Sequence, residues 1–160
     1  MPIEYVSTAD AVDRKGLRMV VVGGVPSPWG EAAKGLLHMK RIPWVAVRLA
    51  YDDARLAEWA GQRSGPVVFY DDDKPRSGWA EILLLLERLA PNPRLIPEDP
   101  AARALLFGLS HELLGEAGMA WSRRLQLIEA GLQGRGVRNC AWRRSVSEQP
   151  WRNRRATALI

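Results

Sequence analysis

The sequence predicts an α/β fold: a four-stranded mixed sheet with helices, followed by an all-α segment. Three observations carry this reading. A β-branched apolar run (Arg18-Met19-Val20-Val21-Val22-Gly23) leads into a capped helix and then an alternating strand, the order of a βαβ unit. A third apolar run at 66–70 is followed by an aspartate turn and a short return segment, which suits an antiparallel hairpin. Beyond Pro91, Pro93 and Pro97 the apolar period becomes 3.6 and persists to Leu132.

Taken in order, residues 1–17 are weakly patterned and read as an extension, with one short helix from Thr8. Residues 18–23 have the continuous apolar character of a strand buried on both faces. Ser27 is a good N-cap and Pro28 a good first helical residue, so a helix should run to about Lys40 with Ala33, Leu36 and Leu37 inward and Pro43 beyond its end. Residues 44–50 alternate as a second strand. Asp52-Asp53 open a helix that Gly61 ends, and Pro66-Val67-Val68-Phe69-Tyr70 is the third strand. Asp71-Asp72-Asp73 turn the chain into a return strand at 74–77. The helix at 78–90 is apolar nearly all round, which predicts that it is sandwiched. Asp99 and Pro100 restart a helix, and Ala102, Leu105, Leu106, Leu109, Leu113 and Ala117 keep its period. Trp121, Leu125, Ile128 and Leu132 resume it after Gly115 and Gly118, as one kinked helix or two in succession.

The 160 residues carry a net charge of +5, but the charge is not evenly spread. Residues 134–160 hold seven arginines against one acid, Glu148, while residues 1–133 hold 16 basic and 17 acidic side chains. The body is nearly neutral and gives no electrostatic reason to expect nucleic acid or an anionic membrane. The tail mixes Trp142 and Trp151 with arginines, a composition that can bind single strands, yet it has neither period 2 nor 3.6 and is expected to stay unpacked. No apolar run is long enough to span a membrane, and the N-terminus lacks the pattern of a signal peptide, so a cytoplasmic protein is the default expectation. One cysteine, Cys140, excludes an internal disulfide and a CxxC pair. With only His38 and His111 beside it, no metal is expected.

The turn at 23–30 follows a strand and opens a helix, which invites a nucleotide. Its glycines do not keep the spacing of a P-loop or of a dinucleotide fingerprint. The stretch Ser27-Pro28-Trp29-Gly30 says more. Helix N-termini favour anions through their unpaired N–H groups and dipole, so a thiolate or carboxylate would be stabilised there. The plainer alternative is that Ser27 only caps its helix.

These segments together resemble the glutathione S-transferase family. The strand Met19–Val22, the Ser27-Pro28 turn and the helix ending Lys40-Arg41-Ile42-Pro43 are similar to the family's thioredoxin-like N-terminal domain. Gly65-Pro66-Val67-Val68 resembles its cis-proline step into the third strand. The run from Leu95 to Ala104 resembles its interdomain linker and the start of its helical domain. The resemblance spans about residues 18–132. It implies a thioredoxin-like domain at 18–91, a partial helical domain at 98–133 with the rest of that domain missing, an extension at 1–17 and a basic, disordered tail at 134–160.

The resemblance also implies chemistry: attack of a bound glutathione thiolate on a small apolar electrophile, with glutathione as co-substrate and no metal; a homodimer is one assembly left open. Ser27 stands at the first position of the thioredoxin-type C-x-x-C and Gly30 at the last. The Ser27 hydroxyl would donate to the thiolate and lower its pKa. Trp29, Gly30, Gly65, Pro66, Ser77 and Gly78 are the implied glutathione-binding residues. Gly65 would offer its backbone N–H and C=O to the cysteinyl part, and Ser77 with the helix amides, helped by Arg76, would take the γ-glutamyl carboxylate. The electrophile pocket is expected to involve the later helices. Two alternatives stand beside this. A non-catalytic glutathione-binding or interaction module is favoured by Gly30, which has no hydroxyl, and by Arg76-Ser77 where the family has Glu-Ser. A nucleotide-binding α/β domain would need a phosphate loop.

Overall fold

A computed structural model describes residues 3–23, 27–115 and 117–133. The elements run β1 (Glu4–Val6), α1 (Thr8–Asp13), β2 (Leu17–Val21), α2 (Pro28–Lys40), β3 (Trp44–Arg48), α3 (Ala54–Ala60), β4 (Val67–Tyr70), α4 (Trp79–Leu89), α5 (Pro100–Leu114) and α6 (Met119–Leu132). The four strands form one sheet in the order β1-β3-β2-β4. β3 is parallel to both β1 and β2, whereas β4 is antiparallel to β2.

Alternation along the strands builds two cores, one on each face of the sheet. Leu17, Met19 and Val21 of β2, Ala46 of β3 and Val68 of β4 point to α2 and α4. There they meet Ala33, Leu36 and Leu37 and the α4 residues Ile82, Leu83, Leu85 and Leu86. Val20, Val47, Val67 and Phe69 point the other way, to Ala11 of α1 and Leu56 and Ala60 of α3. The Trp59 ring stacks flat on Phe69 at 3.9 Å. Arg18 is the charged exception on that face: its Nη2 donates to the Asp71 carbonyl at 2.7 Å, and burial lowers its pKa against the opposing pull of Asp71 and Asp72.

The helix ends follow local chemistry. Ser7, Asp53 and Asp99 each accept a backbone N–H of their own first turn, from Asp10, Leu56 and Ala102. Gly61 closes α3 with φ +70°, and Arg41 closes α2 in the left-handed region at φ 54°.

Two expectations about the sheet need correction. The segment read as an extension supplies the edge strand β1 as well as the short helix from Thr8. The expected return strand at 74–77 contributes a single bridge, Val68 to Arg76, so the fourth strand is β1 and not the second arm of a hairpin. Val68 and Arg76 exchange both of their backbone bonds, so the next bonded pair toward Gly78 would fall on Pro66, which has no N–H to give.

The long C-terminal period resolves into two helices, α5 and α6. Its apolar stripe is not buried: α5 has no buried residue, α6 has only Ala120, and Leu105, Leu109, Leu113 and Leu125 are exposed. On α4, Leu84 is likewise exposed, so that helix is covered on most of its circumference but not all. The expected tail at 134–160 lies outside the described residues.

A buried ion pair ties the two halves together. Lys40 Nζ, at the end of α2, donates to Glu87 Oε1 at 2.6 Å and to the carbonyls of Ala90 and Pro93, both at 2.7 Å. Glu87 Oε1 also accepts from Leu95 N at 2.7 Å. The C-termini of α2 and α4 and the linker into α5 are thus held at one point.

Candidate functional site

Strand register brings three separate turns to one end of the sheet. Val20 pairs with Val67 in the antiparallel β2–β4 ladder, so the exit of β2 lies beside Gly65-Pro66. The Val68–Arg76 bridge is also antiparallel, so Ser77 and Gly78 run back beside Val67 and Pro66. The first turn of α2, the step into β4 and the first turn of α4 therefore share this end. Residues 24–26, in the turn before Ser27, lie outside the described residues.

Ser27 occupies the N-cap position of α2. Its carbonyl accepts from Glu31 N at 2.8 Å, closing the first turn, but its side chain makes no capping bond. The residue is only 8% exposed and its Oγ has no hydrogen-bond partner among the described residues. A serine that merely capped its helix would spend its hydroxyl on an N2 or N3 amide. Here the hydroxyl is buried at a helix N-terminus and unused, which is costly unless another group takes it up. Gly30 is buried one turn on, and a Cβ there would lie 3.6 Å from Ser27 Cβ.

The Gly65–Pro66 peptide is cis. Gly65 sits so close to β2 that a Cβ would come within 3.1 Å of the Val20 carbonyl oxygen, a tight contact that glycine avoids.

At α4, Gly78 is the N-cap and cannot cap with a side chain. Glu81 reaches back instead, accepting from Gly78 N at 3.3 Å. A carboxylate of the chain itself therefore stands at the helix N-terminus that Ser77 and Gly78 present. Arg76 is turned away from this end: it donates to Lys74 O at 3.1 Å and lies 3.4 Å from Asp73. Trp79 packs against the core, yet its indole N–H is buried and has no partner among the described residues, like Ser27 Oγ in the corresponding turn of α2.

Trp29 reaches to the helical half. Its Nε1–H donates to Leu114 O, the last residue of α5, at 2.5 Å. Its ring meets Trp121 of α6 edge-on at 6.1 Å, and Arg124 Cζ lies 5.6 Å from the ring centroid. Nothing in the local sequence marks Trp121 and Arg124 as neighbours of this turn, because the contact depends on how α6 folds back.

Solved structures show where this architecture recurs. A glutathione transferase family member from Pseudomonas fluorescens, with two glutathione bound, superposes with a TM-score of 0.53 at 14% identity, over 66% of this chain and 50% of its own. A Burkholderia glutathione transferase homolog with bound glutathione gives 0.52 at 20% identity, over 75% and 68%. The fold is that of the glutathione transferases. The glutathione S-transferase from Ascaris lumbricoides matches 90% of this chain and 64% of its own, at 16% identity and TM-score 0.53. The chain thus spans about half to two-thirds of these transferases' lengths. No protein-family model matches the sequence, and no curated protein does. Among the described residues, no helix is long and apolar enough to cross a membrane. Nor do three or more His, Cys, Asp or Glu side chains cluster there as metal ligands would.

Proposed function

We propose that this chain binds glutathione across the shared end of the sheet and activates its thiol for attack on a small electrophile. One observation carries the reading: Ser27 Oγ is buried at the N-terminus of α2 with no partner among the described residues. A glutathione thiolate placed there accepts the hydroxyl's hydrogen bond and gains from the helix dipole. Gly65 supplies backbone groups to the cysteinyl part, alongside Pro66. Ser77 and the first-turn amides of α4 take the γ-glutamyl carboxylate, sharing that end with Glu81. Trp29 and Gly30 complete the first turn. In the reaction the sulfur bonds to the electrophilic carbon, the leaving group departs with its electron pair, and the thiol proton goes to solvent.

The same folds that hold glutathione in the Pseudomonas and Burkholderia proteins support this reading. Calorimetry with glutathione and ultraviolet titration of the bound thiol test it. Ser27→Ala should raise the thiol pKa by about 1–2 units, equivalent to losing one charge-assisted hydrogen bond, while changing affinity much less. An equal thiol pKa in both proteins would leave Ser27 a purely structural residue. Absence of glutathione binding would refute the reading outright.

A further inference from the structure

We propose that Arg124 selects aromatic electrophiles that carry a carboxylate. The inference rests on the glutathione reading above, because it places the second substrate beside the sulfur. Trp29 is two residues past Ser27 in the same helical turn, so its ring is a wall near the reacting atoms. Its indole N–H is spent on Leu114 O, which fixes the ring's orientation. Trp121 meets it edge-on and is itself 39% exposed, giving two aromatic surfaces at an angle. An aryl ring can pack edge-on or offset against such a pair.

Arg124 lies over the Trp29 ring. A guanidinium held over an aromatic face by its charge still has N–H groups to offer, and these form a fork that matches a carboxylate. Among the described residues Arg124 makes no ion pair, in contrast to Arg76 and Arg88, which both engage Asp73. Neighbouring Arg123 is aimed elsewhere, donating to Gln126 at 3.4 Å. The site therefore presents a cation above an aromatic wall, without an ion pair among the described residues. With a 4-chloro-3-nitrobenzoate, the glutathione sulfur bonds to the ring carbon bearing chlorine, the C–Cl bond breaks and chloride leaves, and the thiol proton passes to solvent. The benzoate carboxylate stays intact and is held by Arg124.

The test uses preformed conjugates, so binding is read without turnover. S-(4-carboxy-2-nitrophenyl)glutathione and its carboxamide are titrated calorimetrically into the full chain, Arg124→Gln and Arg123→Gln. The carboxylate should bind the wild type roughly fivefold more tightly than the amide, as one partly exposed, forked ion pair would give. Arg124→Gln should abolish that preference and Arg123→Gln should keep it. Equal affinities in the wild type, or equal losses in both variants, would overturn the inference. If glutathione binds but neither conjugate does, this inference alone fails. If glutathione itself does not bind, the functional reading falls and takes this one with it.

Discussion

Replacing Lys40 by methionine should cost this protein about 3–5 kcal/mol of folding stability. The side chain is fully buried, and its ammonium satisfies three oxygens: Glu87 Oε1, Ala90 O and Pro93 O. Methionine preserves the stem's packing and removes the charge. It leaves a carboxylate only 16% exposed and two carbonyls without their donor, and breaking a buried pair from one side costs that much because the remaining charge is uncompensated. For a domain with roughly 5–15 kcal/mol in total, this is a large share. Glu87→Gln should cost less, about 1–3 kcal/mol, since the amide can still accept from Lys40 and Leu95 N. Lys40→Met combined with Glu87→Leu should recover most of the loss, because two apolar side chains leave no buried charge. Urea denaturation followed by tryptophan fluorescence gives all four free energies. A loss below about 1 kcal/mol in Lys40→Met would refute the reasoning, as would a double variant no more stable than Lys40→Met alone.

The same pair sets a pH dependence. Burial alone would push the Glu87 carboxyl up, but the Lys40 hydrogen bond and charge, with the Leu95 and Ile96 amides, hold it below the usual range. Its stabilising contribution is therefore complete above the ordinary carboxylate pKa of about 4.3 and disappears as pH falls through the lower folded value. The stability gap between wild type and Glu87→Gln should hold steady well above that ordinary value and shrink as the pH falls below it, measured by the same denaturation. Gly65→Ala should destabilise by about 1–3 kcal/mol, because its Cβ would press on the Val20 carbonyl; a neutral thermal shift would contradict the packing. Gly30→Ala should raise stability by nearly 1 kcal/mol, since the space beside Ser27 admits a methyl and alanine favours the helix; a lowered melting temperature would show that the turn needs glycine. Glu81→Gln should tighten glutathione binding a few-fold by removing a competing carboxylate from the start of α4, and calorimetry showing weaker binding would place the ligand elsewhere.

Much of the fold was legible because local signals and tertiary packing agreed. Met19, Val20 and Val21 read as a strand buried on both faces, and each is buried, Val20 against one core and its neighbours against the other. Ser27-Pro28 and Asp99-Pro100 marked helix starts that the backbone adopts. β1 escaped notice since three residues, two of them exposed, carry no countable period. At α5 the period predicted a helix correctly, but period says nothing about what covers the stripe, and Leu105, Leu109 and Leu113 remain uncovered. At the candidate site, the turns could be named from motif order. The state of the Ser27 hydroxyl could not, because a free hydroxyl and a capping one have the same sequence. Lys40 with Glu87, and Trp29 with Arg124, are joined only by tertiary contact, and no spacing rule reaches across such intervals.

The short first strand has a consequence for handling the protein. β3 is five residues long, apolar at its centre, and would be an open edge if β1 were not hydrogen-bonded along it. An uncovered edge of that kind is a template on which another chain can add a strand. β1 closes it with a strand too short to recruit further copies, pinned by the Glu4–Arg14 ion pair at 2.9 Å. Residues 3–6 therefore act as a guard against self-association. A version beginning at Ser7 would expose the backbone of Trp44–Arg48, and light scattering on concentration should find it aggregating where the full chain stays dispersed.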